Sequence, residues 1–131
     1  MFELRVQVEF PAAHRLDGYP GDCARPHGHN WVVEAFARSR KLDSLGIAID
    51  FRQLKGALQE LVQPWDHQDL NQLQDFRSLP PSAEQIAKLA FERLEKLIGK
   101  SGPDQEIWID RVTVWENSRC SATYFEEVRG H

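Results

Sequence analysis

Two imidazoles stand one residue apart in His27-Gly28-His29. On an extended chain, residues flanking one position share a face, with about 6–7 Å between their Cα atoms. Gly28 leaves the opposite face bare, as where backbone or ligand approaches closely. A third imidazole, His14, lies upstream. Three neutral imidazoles suit a zinc ion and leave a fourth position open for water or substrate. Cys23, close before the pair, allows two arrangements. As a fourth ligand it would close a Cys-His₃ structural site. As a free thiol tuned by a histidine it would move protons. The spacing alone leaves both open.

Further along, Asp66 and His67 are adjacent in the run Trp65-Asp66-His67-Gln68-Asp69-Leu70-Asn71. Neighbouring side chains diverge in most conformations, but within a loop the carboxylate could orient the imidazole and complete a Cys–His–Asp relay. A turn aspartate beside a surface histidine is the plainer alternative. Glu116 ends the run Val112-Thr113-Val114-Trp115. With the parity of Val112 and Val114 it points inward, where a carboxylate needs a partner. Its two oxygens match a pair of parallel N–H donors on a heterocycle. A strand-end surface glutamate is the alternative.

The elements that must place these groups are legible from periodicity. Residues 2–10 alternate, with Phe2, Leu4, Val6, Val8 and Phe10 on one face; Ala12 and His14 continue that face past Pro11. Residues 15–26 hold turn chemistry at Asp17-Gly18, Pro20-Gly21 and Pro26. A second strand over about 27–38 puts His27, His29, Trp31, Val33, Ala35 and Ala37 on one face. Asp50 caps a helix carrying Phe51, Leu54, Leu58, Leu61 and Val62, which Pro64 stops. Residues 65–81 are irregular. Ser82 with Gln85 forms a capping-box signature before Ile86, Leu89, Ala90, Leu94, Leu97 and Ile98, with Gly99 as the stop. Two strands, near 106–116 and 121–128, follow. The order predicts one α+β domain over residues 1–131: an antiparallel sheet with two helices on one face. Its edges stay open, which predicts a homo-oligomer closing into a barrel.

The chain of 131 residues is 41% hydrophobic and 27% charged, with a net charge of −4. That suits a water-soluble domain and argues against a nucleic-acid partner, which needs a basic footprint. No apolar run reaches membrane-spanning length and the N-terminus lacks a signal-peptide core, so no membrane and a cytoplasmic location are expected. A disulfide between Cys23 and Cys120 is not expected there, and Cys120 reads as a plain thiol.

Together, Ala12-Ala13-His14, Cys23-Ala24-Arg25-Pro26-His27-Gly28-His29, Asp50-Phe51, Asp66-His67 with Leu70-Asn71, and Glu116 resemble the 6-pyruvoyl-tetrahydropterin synthase superfamily. The Cys-x₃-His-Gly-His spacing is similar to the bacterial 6-carboxy-tetrahydropterin synthase branch of queuosine biosynthesis; the animal enzymes have a longer gap. The resemblance implies the tunnelling fold, a β-β-α-α-β-β subunit forming trimeric barrels that stack into hexamers with active sites between subunits. It implies Zn2+ on His14, His27 and His29, Cys23 as acid/base, Asp66 and His67 as relay, and Glu116 as pterin anchor. The reaction implied is conversion of 7,8-dihydroneopterin triphosphate to 6-carboxy-5,6,7,8-tetrahydropterin, acetaldehyde and triphosphate. This favours Cys23 as catalyst over ligand. The other readings are the pyruvoyl-type triphosphate elimination, or a non-catalytic zinc- or pterin-binding protein. The chain departs from the family pattern at Ser82 and Ala83 beside the pterin, at Gln68, where histidine is common, and at Asn117 in place of threonine. Which groups hold the triphosphate is not readable; Arg15 and Arg25 are near in sequence.

Overall fold

The computed structural model describes residues 1–18, 20–98 and 106–127, with only the backbone at Asp22 and Cys23. Strands β1 (Phe2–His14) and β2 (His27–Ser39) form a long antiparallel hairpin. Helix α1 (Phe51–Val62), a two-residue strand β3 (Gln68–Asp69), helix α2 (Ala83–Ile98), and strands β4 (Ile107–Asn117) and β5 (Cys120–Tyr124) follow. The sheet order is β3-β1-β2-β4-β5. The sheet is therefore mixed rather than wholly antiparallel, because β3 pairs in parallel with Ala12 and Ala13 of β1. Two residues in an irregular run carry no periodicity, so this strand has no sequence signal. Gly99 and the end of the last expected strand beyond residue 127 lie outside the described residues.

One sheet face packs under both helices. Val6, Val8, Phe10 and Ala12 of β1, and Trp31, Val33, Ala35 and Ala37 of β2, are buried there against Leu54, Leu58, Ile86, Ala90 and Leu94. Each large side chain so buried stabilises the fold by about 1.5–3 kcal/mol. Phe2, Phe51 and Leu97 share the apolar parity but stand exposed, because the stripe outruns its cover. The opposite face is polar and cross-linked: Arg5 pairs with Glu34, and Arg111 with Glu3 and Asp110. Asp50 caps α1 by accepting from Arg52 N–H, and Ser82 Oγ caps α2 by accepting from Gln85 N–H at 3.2 Å. Beyond Ala12 and Ala13, the outer edge of β1 pairs with no strand among the described residues, nor does the outer edge of β5.

The connection between the helices is irregular but tied down. Its Trp65 is fully buried against Phe10 and Phe76. The Trp65 indole N–H donates to Asp75 Oδ2 at 2.9 Å, and Arg93 of α2 grips both Asp75 oxygens at 2.9 and 2.5 Å. Such bidentate charged bonds are the strong kind. The Arg93 hydrogen bonds hold the Asp75 carboxyl below the usual carboxylate range; partial burial opposes this and Trp65 assists. A depressed carboxylate stabilises the fold above its unfolded value, near pH ~4, and loses that contribution as pH falls through the folded value. Asp75→Asn is expected to cost about 1–2 kcal/mol at neutral pH, discounted for partial exposure. In urea titrations the gap between variant and parent should close on acidification; a gap independent of pH would sink this account.

Candidate active site

The hairpin register builds the histidine cluster. His14 lies opposite His27 and Ala12 opposite His29, so all three rings emerge on the helix-covered face at one end of the sheet. Their centroids are 4.4 Å (His14–His27), 5.1 Å (His14–His29) and 4.8 Å (His27–His29) apart. Trp31, next along that face, packs edge-on against His14 and His29, and its indole N–H donates to Ala12 O at 3.2 Å. It forms a rigid apolar wall to the cluster. No sequence motif marked Trp31 as more than core.

The tautomers follow from the partners. His14 Nδ1 lies 2.8 Å from Pro81 O, and His27 Nδ1 lies 2.7 Å from Arg25 O. A carbonyl only accepts, so each Nδ1 carries the proton and each neutral ring turns an Nε2 lone pair inward. The buried Nε2 atoms of His14 and His29 have no hydrogen-bond partner among the described residues. Glu116 Oε1 nevertheless stands 3.2 Å from His14 Nε2 and 2.9 Å from His29 Nε2, without hydrogen-bond alignment. Carboxylate lone pairs facing imidazole lone pairs at this range repel unless a proton or metal ion lies among them. Burial is the main cause holding the His29 imidazole below its ordinary pKa, with Glu116 opposing and the other two histidines assisting. That favours the neutral form a metal ligand needs. One ligand atom from each of His14, His27, His29 and Glu116 falls within 4.8 Å of the others. Ligands of one tetrahedral zinc ion stand about 3.3–3.4 Å apart, so the most widely spaced of these atoms would draw in by somewhat more than an ångström, within the reach of side-chain torsions. The donor set fits a divalent metal.

Glu116 thus points inward, but it meets the histidines. Asp66 and His67 do meet each other: Asp66 Oδ1 is 3.0 Å from His67 Nδ1. His67 has φ 58°, the one positive φ outside glycine among the described residues, and its N–H donates to Pro11 O at 2.7 Å. A left-handed non-glycine residue costs about 1–3 kcal/mol and concentrates at functional sites. The ion pair does not repay it, since the two side chains are 77% and 45% exposed and exposed pairs contribute little. His67 lines a groove that also touches Gly28 and His29. A Cβ on Gly28 would meet nothing within 4 Å, so this glycine answers no close approach within the chain; it leaves the groove floor open. Cys23 sits in a 3₁₀ turn, Gly21–Ala24, and its side chain lies outside the described residues. Cys120 is an exposed free thiol.

The segment bearing Asp66 and His67 is coupled to β1 by Asn71, whose role the sequence alone did not disclose. Its Oδ1 accepts from Arg15 N–H at 2.8 Å and its Nδ2 donates to Arg15 O at 3.1 Å, copying one rung of a ladder just after His14. Ser82 is committed to the helix cap, and Ala83 opens α2 beside it. Through Pro81 O, that helix start is also what orients His14. Arg15 Nε pairs with Asp17. Asn71→Ala is expected to cost about 1–3 kcal/mol, since the two part-buried backbone groups lose their partners. Amide exchange at Arg15 should quicken; protection equal to the parent's would refute the clamp.

A family model described as 6-pyruvoyl tetrahydropterin synthase matches residues 3–127. The chain is 32% identical over 130 residues to a Synechocystis protein named 6-carboxy-5,6,7,8-tetrahydropterin synthase, covering 95% of this chain and 94% of that one. It is 30% identical over 124 residues to an Aquifex aeolicus protein of the same name, covering 80% and 76%. The solved Caenorhabditis elegans 6-pyruvoyl tetrahydropterin synthase superposes with a TM-score of 0.82 at 24% identity, over 96% of each chain. Plasmodium vivax 6-pyruvoyltetrahydropterin synthase gives 0.72 at 21%, over 97% of this chain and 98% of that one. The tunnelling subunit fold that the resemblance implied, and that agrees with the element order, is thereby confirmed. With the match running nearly end to end, the chain belongs to the 6-pyruvoyl tetrahydropterin synthase family of enzymes.

Proposed function

We propose that this protein is a zinc-dependent 6-carboxy-tetrahydropterin synthase. It would convert 7,8-dihydroneopterin triphosphate and one water to 6-carboxy-5,6,7,8-tetrahydropterin with release of acetaldehyde and triphosphate. The observation that carries the reading is the convergence of His14, His27 and His29 lone pairs on one point, two of the rings being locked by backbone carbonyls. The names of the curated relatives supply the pterin substrate class.

His14, His27 and His29 would hold the metal, which supplies Lewis-acid polarisation of the side-chain hydroxyls beside the pterin ring. His67, oriented by Asp66, would exchange protons with the Cys23 thiol, and Cys23 would take and return protons along the substrate side chain. Glu116 would accept the paired N–H donors of the pterin ring, and Ser82 and Ala83 would contact the substrate. The bare edges of β1 and β5 support a homo-oligomer of the barrel type, a hexamer in the reading adopted here. The short cysteine-to-histidine spacing favours the carboxy product over the pyruvoyl one.

Incubation with 7,8-dihydroneopterin triphosphate should release acetaldehyde in step with triphosphate. Triphosphate without acetaldehyde would point to the pyruvoyl reaction, and turnover of neither would defeat the lyase reading. Cys23→Ala should lower kcat about 10²–10⁴-fold with zinc retained, whereas His27→Ala should lose the zinc. Loss of zinc with the thiol would make Cys23 a ligand.

A further inference from the structure

We infer that Glu116 is the fourth protein ligand of the metal in the substrate-free enzyme, and that it leaves the metal when a pterin enters. The inference rests on the metal site proposed above and concerns what closes it.

Three observations converge on Glu116. Its Oε1 lies nearly midway between the Nε2 atoms of His14 and His29, at 3.2 and 2.9 Å, and forms a hydrogen bond with neither. Tautomer locking leaves His14 with a lone pair there, so the carboxylate is aimed at the position a cation would take, as a ligand is. Second, Glu116 sits at an irregularity in β4. Trp115 pairs with Ser121 and Asn117 with Cys120, which leaves Glu116 without a register partner on β5; the β2 register ends one residue earlier at Trp115. Such bulges re-aim side chains and leave the backbone less tightly held. Third, the burial is graded. His14 is 1% exposed while Glu116 is 31% exposed. Glu116 also lines an open groove of about 660 Å³, shared with Gly28, His29, Asn30 and Trp115. The histidines are the fixed donors and the carboxylate is the one at the mouth.

With Oε1 held between the histidine nitrogens, the Glu116 carboxylate does not present both oxygens to a ring in the groove. The two roles belong to two states. With no substrate, Glu116 completes a closed His₃Glu set and keeps the metal from opening to other ligands. With a pterin in the groove, the paired donors draw the carboxylate away, and the fourth position opens only when substrate is there to use it. The negative charge stays in the site throughout.

The test uses the whole protein with Co2+ replacing the metal. Wild type is expected to show the intense visible band of a four-coordinate site. Glu116→Gln and Glu116→Ala should bind Co2+ at least 10–100-fold more weakly, the cost of losing even an outer partner, and with an altered band. Wild-type affinity and an unchanged band in both variants would overturn the assignment. A second arm needs no variant. Neopterin, followed by its own fluorescence, should bind wild type and shift the cobalt band; binding with an unchanged band would overturn the displacement. If wild type takes up no Co2+, the metal site itself falls, and if neopterin does not bind, the pterin reading falls.

Discussion

Two hydrogen bonds decide what this site can be. Pro81 and Arg25 offer carbonyl oxygens to the Nδ1 atoms of His14 and His27. Each bond fixes a ring's rotation and its proton in one stroke, and so points a lone pair at a chosen place. Remove either carbonyl and the imidazole regains a second tautomer and a freer χ2. The carbonyls come from unlike sources. Arg25 belongs to the turn entering β2, so His27 is held locally. Pro81 belongs to the connection before α2, so His14 is oriented by a segment far away in sequence. The histidine cluster is therefore only as well defined as the seating of α2 against the sheet.

That seating has traceable causes. Ser82 caps α2 and fixes where its first turn begins. Arg93, nearly three turns on, reaches Asp75, and Asp75 holds the Trp65 indole. Trp65 packs on Phe10, which stacks with Trp31, which walls the histidines. An unbroken set of buried and part-buried contacts thus runs from α2 to the histidine cluster. Interiors at crystal-like density pass displacement along such contacts rather than absorbing it. A site that needs its donors within about half an ångström is served by this stiffness.

Much of this was legible in the residues. Parity placed His27 and His29 on one face, and the alternation of β1 carried His14 to the same end. The capping residues Asp50 and Ser82 read correctly because capping is local chemistry. What could not be read was tertiary. The strand at Gln68–Asp69 is too short to have a period. Glu116 was expected to face inward, and it does, but its meeting with the histidines depends on the irregularity beside Trp115. The contact of Asp66 with His67 required a left-handed backbone that sequence disfavours for histidine. The amide of Asn71 binds a residue whose identity leaves no trace, because it binds main chain. The carbonyl of Pro81 is invisible for the same reason.

The strained His67 and the bare edge of β1 are one problem seen twice. His67 is fastened by its N–H to Pro11, at the point where β3 covers the edge, and from there back to Phe2 the edge has no strand beside it among the described residues. A chain alone thus leaves Asp66 and His67 largely in water, where a proton transfer would gain little from fixed dipoles and where exposed charges are screened. Edge-to-edge association of the kind proposed would pair the open backbone groups and draw the groove beside His67 out of bulk solvent in the same step. The strain at His67 then has a physical rationale. His67, 77% exposed in the single chain, would then be covered by a neighbour rather than by solvent. On this view the residues that do the chemistry are placed by the subunit fold, while the low-dielectric setting that makes them effective belongs to the assembly.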